Sequence, residues 1–231
     1  LEAAGAITSV AAGTITTNGG VSTGVGRAAG GVTLNSGTVL TTGAINALGS
    51  AAFGGSTLAG GAGGVVGLTG TTRIDLGGNI DTTGGLGDPA PGTANQGAGG
   101  AVTVNSAAKL LASRTITTGP TAGNITFSGT TDGSTDFLEN LTLTAGTGTV
   151  TLTGIVGGVK KLGDIQIVSD AGLTTTNAVT AKSFTETAGT GTTTFNGAVD
   201  TNGATGISIT NVGGISTNAN VSNSAGGNIT L

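Results

Sequence analysis

Leu141–Val156 reads LTLTAGTGTVTLTGIV, and Phe184–Val199 reads FTETAGTGTTTFNGAV. Ten of these sixteen positions are identical at an offset of 43 residues. The match continues at an offset of 42, where Ile165 and Ile167 fall on Ile207 and Ile209. Gly172-Leu173-Thr174-Thr175 then falls on Gly214-Ile215-Ser216-Thr217, and Val179 on Val221. Self-similarity at a fixed period marks a repeat architecture, in which each unit buries its apolar face against the next. A half-period is also visible, since Leu152, Leu173, Phe195 and Ile215 stand 21, 22 and 20 residues apart. One coil is therefore about 21 residues long.

Within a coil the apolar period is two. In Thr149-Val150-Thr151-Leu152-Thr153, Val and Leu point inward and the three Thr outward. Each short run ends in Gly, Asn or Asp, which accept the backbone conformations of a sharp corner. No stretch carries helical apolar spacing over 11 residues, so helix is not expected. The pattern predicts an all-β, right-handed parallel β-helix.

The N-terminal half repeats more loosely. Apolar triplets recur at Val32-Thr33-Leu34, Val66-Gly67-Leu68, Val102-Thr103-Val104 and Ile125-Thr126-Phe127. A second string recurs as Ile15-Thr16-Thr17-Asn18, Leu40-Thr41-Thr42-Gly43, Ile80-Asp81-Thr82-Thr83-Gly84 and Ile116-Thr117-Thr118-Gly119. The extra residues lie in Gly49–Gly64 and in Gly84–Gly100, which holds Pro89 and Pro91; both stretches read as loops extruded from one corner. A single solenoid over 1–231 follows, with loop-inserted coils in 1–122 and regular coils in 123–231. About nine coils at the ~4.8 Å strand spacing make a rod roughly 40–45 Å long.

Composition agrees with a narrow core. Gly supplies 48 of 231 residues, charged residues are 8% and aromatics 2%, and there is no Cys, His, Met, Trp or Tyr. Disorder goes with low hydrophobicity and high net charge. Here mean hydropathy is +0.30 and the net charge only −4. Small side chains suit a core one residue deep from each wall. Seven scattered Lys and Arg make no basic stripe, which argues against nucleic acid. No run of about 18 apolar residues spans a bilayer as a helix. The chain starts at Leu1 without an apolar signal segment and stops within a strand at Gly227–Leu231, so a processed chain or a piece of something longer is expected. Neither end reads as capped, which makes Ile7, Val10, Ile229 and Leu231 candidates for an end-stacking edge.

Strings such as AGTITTNGG (12–20), GGVTLNSG (30–37), GNITFSG (123–129), TAGTGTVTLTG (144–154) and GGNITL (226–231) resemble the repeats of filamentous-haemagglutinin-type exoproteins. Those are large β-helical surface proteins of bacteria, and the likeness covers essentially the whole chain. It implies a secreted element at the bacterial cell surface or in the extracellular matrix. It implies adhesion or scaffolding, with a host-cell, glycan or matrix surface as partner, or self-association end to end, or continuation of the same polypeptide. The export-signalling motifs of such proteins are not recognisable here.

Residues that could carry chemistry are few. Arg73 with Asp75 shares a face, and Asp81 lies on the next strand; glycoside hydrolysis would need two carboxylates roughly 5–10 Å apart. A solvated surface ion pair is the simpler account, and there is no Tyr or Trp to stack a sugar. Asp132, Asp136 and Glu139 sit in one acidic stretch and could hold Ca²⁺ through oxygen ligands. The spacing fits no EF-hand, Gly84-Gly85-Leu86-Gly87-Asp88 only brushes a Ca²⁺ repeat, and an acidic turn is the simpler reading. Without His or Cys, zinc, thiol and Ser-His-Asp chemistry are excluded. The expectation is no catalytic residue and no cofactor. Finally, Thr149, Thr151, Thr192 and Thr194 form an exposed Thr ladder that could order water or bind ice. Thr is also simply a favoured exposed strand residue, and Glu186 is expected to interrupt the same columns.

Overall fold

The computed structural model describes residues 1–9, 13–55, 57–88 and 95–231 and is a parallel β-helix. No α-helix occurs among the described residues. Each turn of chain crosses three faces in succession. The first face holds nine parallel strands, from Glu2–Ala3 through Val32–Ser36 and Val66–Gly70 to Ile215–Thr217, stacked in chain order. On the second face Ile7, Leu40, Ile74, Ala108, Thr131, Val156, Val179, Val199 and Val221 stand one above another. On the third, Ile15, Ile45, Ile80, Ile116, Leu143, Ile167, Glu186 and Ile209 do the same. The described residues thus make nine coils.

The strands are short because their apolar alternation is short. Val102–Val104, Ile125–Phe127 and Val150–Leu152 each bury both ends and half-expose the central Thr. One apolar pair per face fills the interior, so each coil contributes about six inward side chains and leaves no room for a second layer. Among the described residues all the buried hydrophobic side chains except Ala52 belong to one continuous cluster that runs the length of the rod.

Coil length follows the looser N-terminal repeats. Val32, Val66 and Val102 are stacked neighbours, giving coils of 34 and 36 residues. Val150, Leu173, Thr193 and Ile215 are stacked likewise, giving 23, 20 and 22. The half-period column expected from Leu152, Leu173, Phe195 and Ile215 is corrected here. Leu152 pairs with Thr175, which pairs in turn with Phe195, whereas Leu173 pairs with Val150 and Thr193. The slip is two residues. Because side chains alternate with a period of two, such a slip leaves every residue on its own face, so apolar pattern cannot detect it.

The string Ile-x-Thr marks one corner. Thr17, Thr82 and Thr118 turn their hydroxyls inward at the end of the third face. Each Oγ1 donates to a Gly carbonyl at the approach to the next first-face strand: Gly30 at 2.6 Å, Gly100 at 2.5 Å and Gly123 at 2.7 Å. Leu40-Thr41-Thr42-Gly43 does not belong with them, since Leu40 and Thr42 lie on the second face beside Ile74 and Leu76. Its counterpart in that coil is Ile45-Asn46-Ala47, where Ala47 takes the corner position without a hydroxyl.

The Gly-rich insertions leave the coil at one corner and pack on one another there. Three successive coils send out chain at this same corner, and the excursions stack in hydrogen-bonded register. Ser50 N–H donates to Arg27, Gly61 to Ser50, Gly85 to Gly61 and Gly97 to Gly85, all at 2.8–2.9 Å. The first coil contributes Gly19–Gly30 to this flange, a segment the spacing of the repeats does not flag. Backbone lies directly on backbone, and a Cβ on Gly61 would come 1.9 Å from the Arg27 carbonyl oxygen. Pro89 and Pro91 lie outside the described residues.

Candidate functional site

The outward column of the second face carries a short run of alternating charge. Asp75, Lys109 and Asp132 are in-register neighbours on three successive coils, so a cation sits between two carboxylates at the strand spacing. Arg73, two residues before Asp75 on the same strand, grips it with two hydrogen bonds: Nε to Oδ1 at 2.7 Å and Nη2 to Oδ2 at 3.1 Å. That partnership raises the Arg73 pKa above its ordinary value, through the hydrogen bond first and the charge second. Beside this column lies a groove of about 310 Å³, lined by Arg73, Ala108, Lys109, Asp132, Val159 and Lys160 among others.

The groove exists because coils five and six lengthen at the corner between the second and third faces. The acidic residues there lash the two excursions together. Asp132 Oδ1 accepts from the Val159 and Lys160 N–H groups at 2.8 and 3.1 Å. Asp136 accepts from Lys161 N–H at 3.0 Å and from Lys160 Nζ at 3.2 Å. These donors hold its carboxyl below the ordinary Asp value, the Lys161 backbone contributing most. Glu139 is buried, and its Oε2 accepts from Ser134 and Thr135 N–H at 2.9 Å each. Phe137 adopts a left-handed φ of 61° between them. The three carboxylates therefore diverge and each is engaged by its own backbone donors. Among the described residues no group of three His, Cys, Asp or Glu gathers as a metal site.

The other candidate acids also separate. Asp81 lies on the third face, away from Asp75 on the second, and its Oδ1 accepts from Thr83 N–H and Oγ1. The sequence expectation that Arg73 and Asp75 share a face holds, but Asp81 does not complete a pair across a substrate cleft. Asp88 receives Gly55 N–H at 2.9 Å within the Gly flange.

The Thr ladder is longer than the sequence suggests and less flat. Thr103, Thr126, Thr151, Thr174 and Thr194 stack in register on five consecutive coils of the first face, followed by Ser216. Thr151 and Thr194 in this column are half-buried, whereas Thr149 and Thr192 are exposed. Thr149 and Thr192 stand in the neighbouring column, with Asn124 before them, Gly172 between them and Gly214 after. The second Thr row is thus interrupted at alternate coils. Glu186 does not break either row. It faces the core on the third face, between Ile167 and Ile209, and is fully buried.

At the ends, Ile7 stands on the outermost strand of the second face, with its side chain buried against Leu40. Val10 lies outside the described residues. Ile229 and Leu231 are 43% and 54% exposed on the last coil. Among the described residues, no strand pairs with the outer side of Glu2–Ala3, Ile7–Thr8 and Thr14–Thr16, nor with that of Ile215–Thr217, Val221–Asn223 and Ile229–Thr230. No described helix is long and apolar enough to cross a membrane. No family model, curated protein or solved structure matches the chain.

Proposed function

We propose that this chain is a rod-forming structural element of a bacterial extracellular fibre, joined through its terminal coils to the next coil of the same polypeptide or of another copy. The observation that supports this reading is the in-register stacking of coils into three all-parallel sheets, whose outermost strands have no partner on their outer side among the described residues. Unpaired parallel edges of matching cross-section template further strands, and a solenoid that ends on them has an interface wherever another coil begins. The side walls support the same reading. The carboxylates of Asp75, Asp132 and Asp136 are engaged by Arg73 or by backbone N–H groups, and the outward column of the first face is Thr followed by Ser. Adhesion to a glycan or matrix surface would then fall to the groove lined by Lys109, Lys160, Ala107, Ala108 and Val159.

The edge is testable without disturbing the coils. Thr193 N–H and Ile207 N–H point forward, to Gly214 and Asn228 of the last coil. By the same alternation, the N–H groups of Thr217 and Ile229 point forward from the last coil to no partner. Thr217→Pro with Ile229→Pro therefore removes two edge donors and no existing ladder bond. Sedimentation velocity over rising concentration is expected to show the parent chain growing in whole multiples of 21.4 kDa. The double variant should stay at one chain with an unchanged circular dichroism spectrum. A parent chain that remains monomeric at every concentration would overturn the reading.

A further inference from the structure

The inward column of the third face is Ile or Leu in every described coil except one, where Glu186 replaces the aliphatic residue. Directly beside it lies a second anomaly. The corner position occupied by Thr17, Thr82 and Thr118 in earlier coils is Ala145 in the sixth coil's predecessor and Asp170 in the next. Both Asp170 and Glu186 are fully buried. Above Asp170 the stacked residue is Gly189, and a Cβ there would lie 1.8 Å from Glu186 Oε1. The missing side chain is what gives the Glu186 carboxylate its room.

The donors around the two carboxyls are unequal. Glu186 Oε2 accepts from Thr193 Oγ1 at 2.5 Å, and its Oε1 accepts from Asn211 Nδ2 at 2.9 Å. Asn211 Nδ2 also reaches Thr193 Oγ1 at 2.8 Å, which fixes the hydroxyl's direction. Asp170 has neither oxygen partnered, and the Gly172 N–H leans toward it without completing a bond. An ionised carboxylate buried without donors is costly, whereas a neutral carboxyl can itself donate.

We propose that Asp170 and Glu186 form a core binding site for a single proton, carried by Asp170 and donated to the Glu186 carboxylate, and that its loss loosens the last three coils. With the proton in place Glu186 receives three donors and the pair holds one negative charge. When Asp170 releases it to solvent, two carboxylates face each other in the interior with only the original two donors between them. Burial, followed by the repulsion of Glu186, pushes the Asp170 carboxyl up to about 7. No other charge faces the pair. Asp164 and Lys182 stand together on the outside of the neighbouring corner, and Leu173–Thr175, Thr193–Phe195 and Ile207–Asn211 carry no ionisable residue. This latch stands independently of the fibre reading.

The sign of the effect is set by linkage. The folded value lies above the ordinary 3.8, so the folded chain holds a proton that the unfolded chain has released. The contribution is full below about pH 4, declines as pH rises and is gone above about pH 7. Asp136 acts in the opposite sense and only on the acid side, because its pKa is lowered. The chain has no His, Cys or Tyr.

Thermal unfolding of the full chain should show a melting temperature that falls by about 5 °C or more between pH 5 and pH 8.5. Asp170→Asn, whose amide N–H takes the proton's place, should remove the slope and melt above the parent at pH 8.5. Infrared spectra of the unsubstituted chain at pH 6.5 should contain a neutral-carboxyl carbonyl band that disappears by pH 9, a readout that needs no variant to fold. Absence of that band, or a slope retained by Asp170→Asn, would overturn the proposal. So would recovery of the alkaline melting temperature by calcium chloride in the parent but not in Asp170→Asn, since the site would then hold a cation.

Discussion

Phe184→Ala is expected to destabilise the chain by about 3–5 kcal/mol, read as a shifted midpoint in equilibrium urea unfolding. Phe184 and Phe195 are fully buried, with ring centroids 5.6 Å apart and planes at 88°, an edge-to-face contact across the narrow interior. In a globular core, neighbouring side chains can partly fill the space left by a deleted ring. Here the interior is one side chain deep from each face, and the coils above and below are pinned by ladder bonds on all three sheets. Collapse into the cavity would have to break those bonds, so the cost should fall in the upper part of that range. Phe195→Leu should cost less, because it retains most of the volume. The double-mutant cycle between the two rings should give a coupling of about 0.5–1.5 kcal/mol.

Gly61→Ala should approach that loss although it adds only one methyl group. The new Cβ would lie 1.9 Å from the Arg27 carbonyl oxygen and 2.2 Å from its carbon. Those are backbone atoms of the coil beneath, so no rotamer change relieves the contact. Relief requires separating layers whose Ser50, Gly61, Gly85 and Gly97 bonds form one stack. An expected cost of about 3 kcal/mol, at the upper end of overpacking effects, should be accompanied by protease cleavage within 48–64. Gly67→Ala supplies the control, because it lies outside the flange, on the first face, and its Cβ would meet nothing within 4 Å. It should be neutral or slightly stabilising. If both variants behaved alike, the Gly stretches would be flexible loops and not a packed flange.

These two sites show where sequence reading succeeds and where it stops. The β-helix was legible because the 43-residue repeat carries its period-two pattern with it, and inward Val and Leu recur on the same face. The register was legible only to within two residues, since Leu152 over Leu173 and Val150 over Leu173 bury the same faces. Glu186 is the instructive miss. The repeat aligns it with inward Leu143, yet its charge argued for the surface, and only its partners Thr193, Asn211 and Asp170 explain why polarity lost. The Gly flange was missed for a different reason. Gly reads locally as conformational freedom, while its use here is a backbone approach to residues 11 to 36 positions away, which no local pattern records. Asp132, Asp136 and Glu139 were found as a cluster but not as separate lashes, because the backbone N–H groups that engage Asp132 and Asp136 come from the following coil.

The central claim is that successive coils stack along one axis and that the stack continues past the terminal coils. Diffraction from aligned, concentrated protein measures this directly. The account predicts a sharp reflection at about 4.8 Å parallel to the long axis of unbranched rods. An equatorial 4.8 Å reflection, or isotropic rings from compact particles, would contradict it.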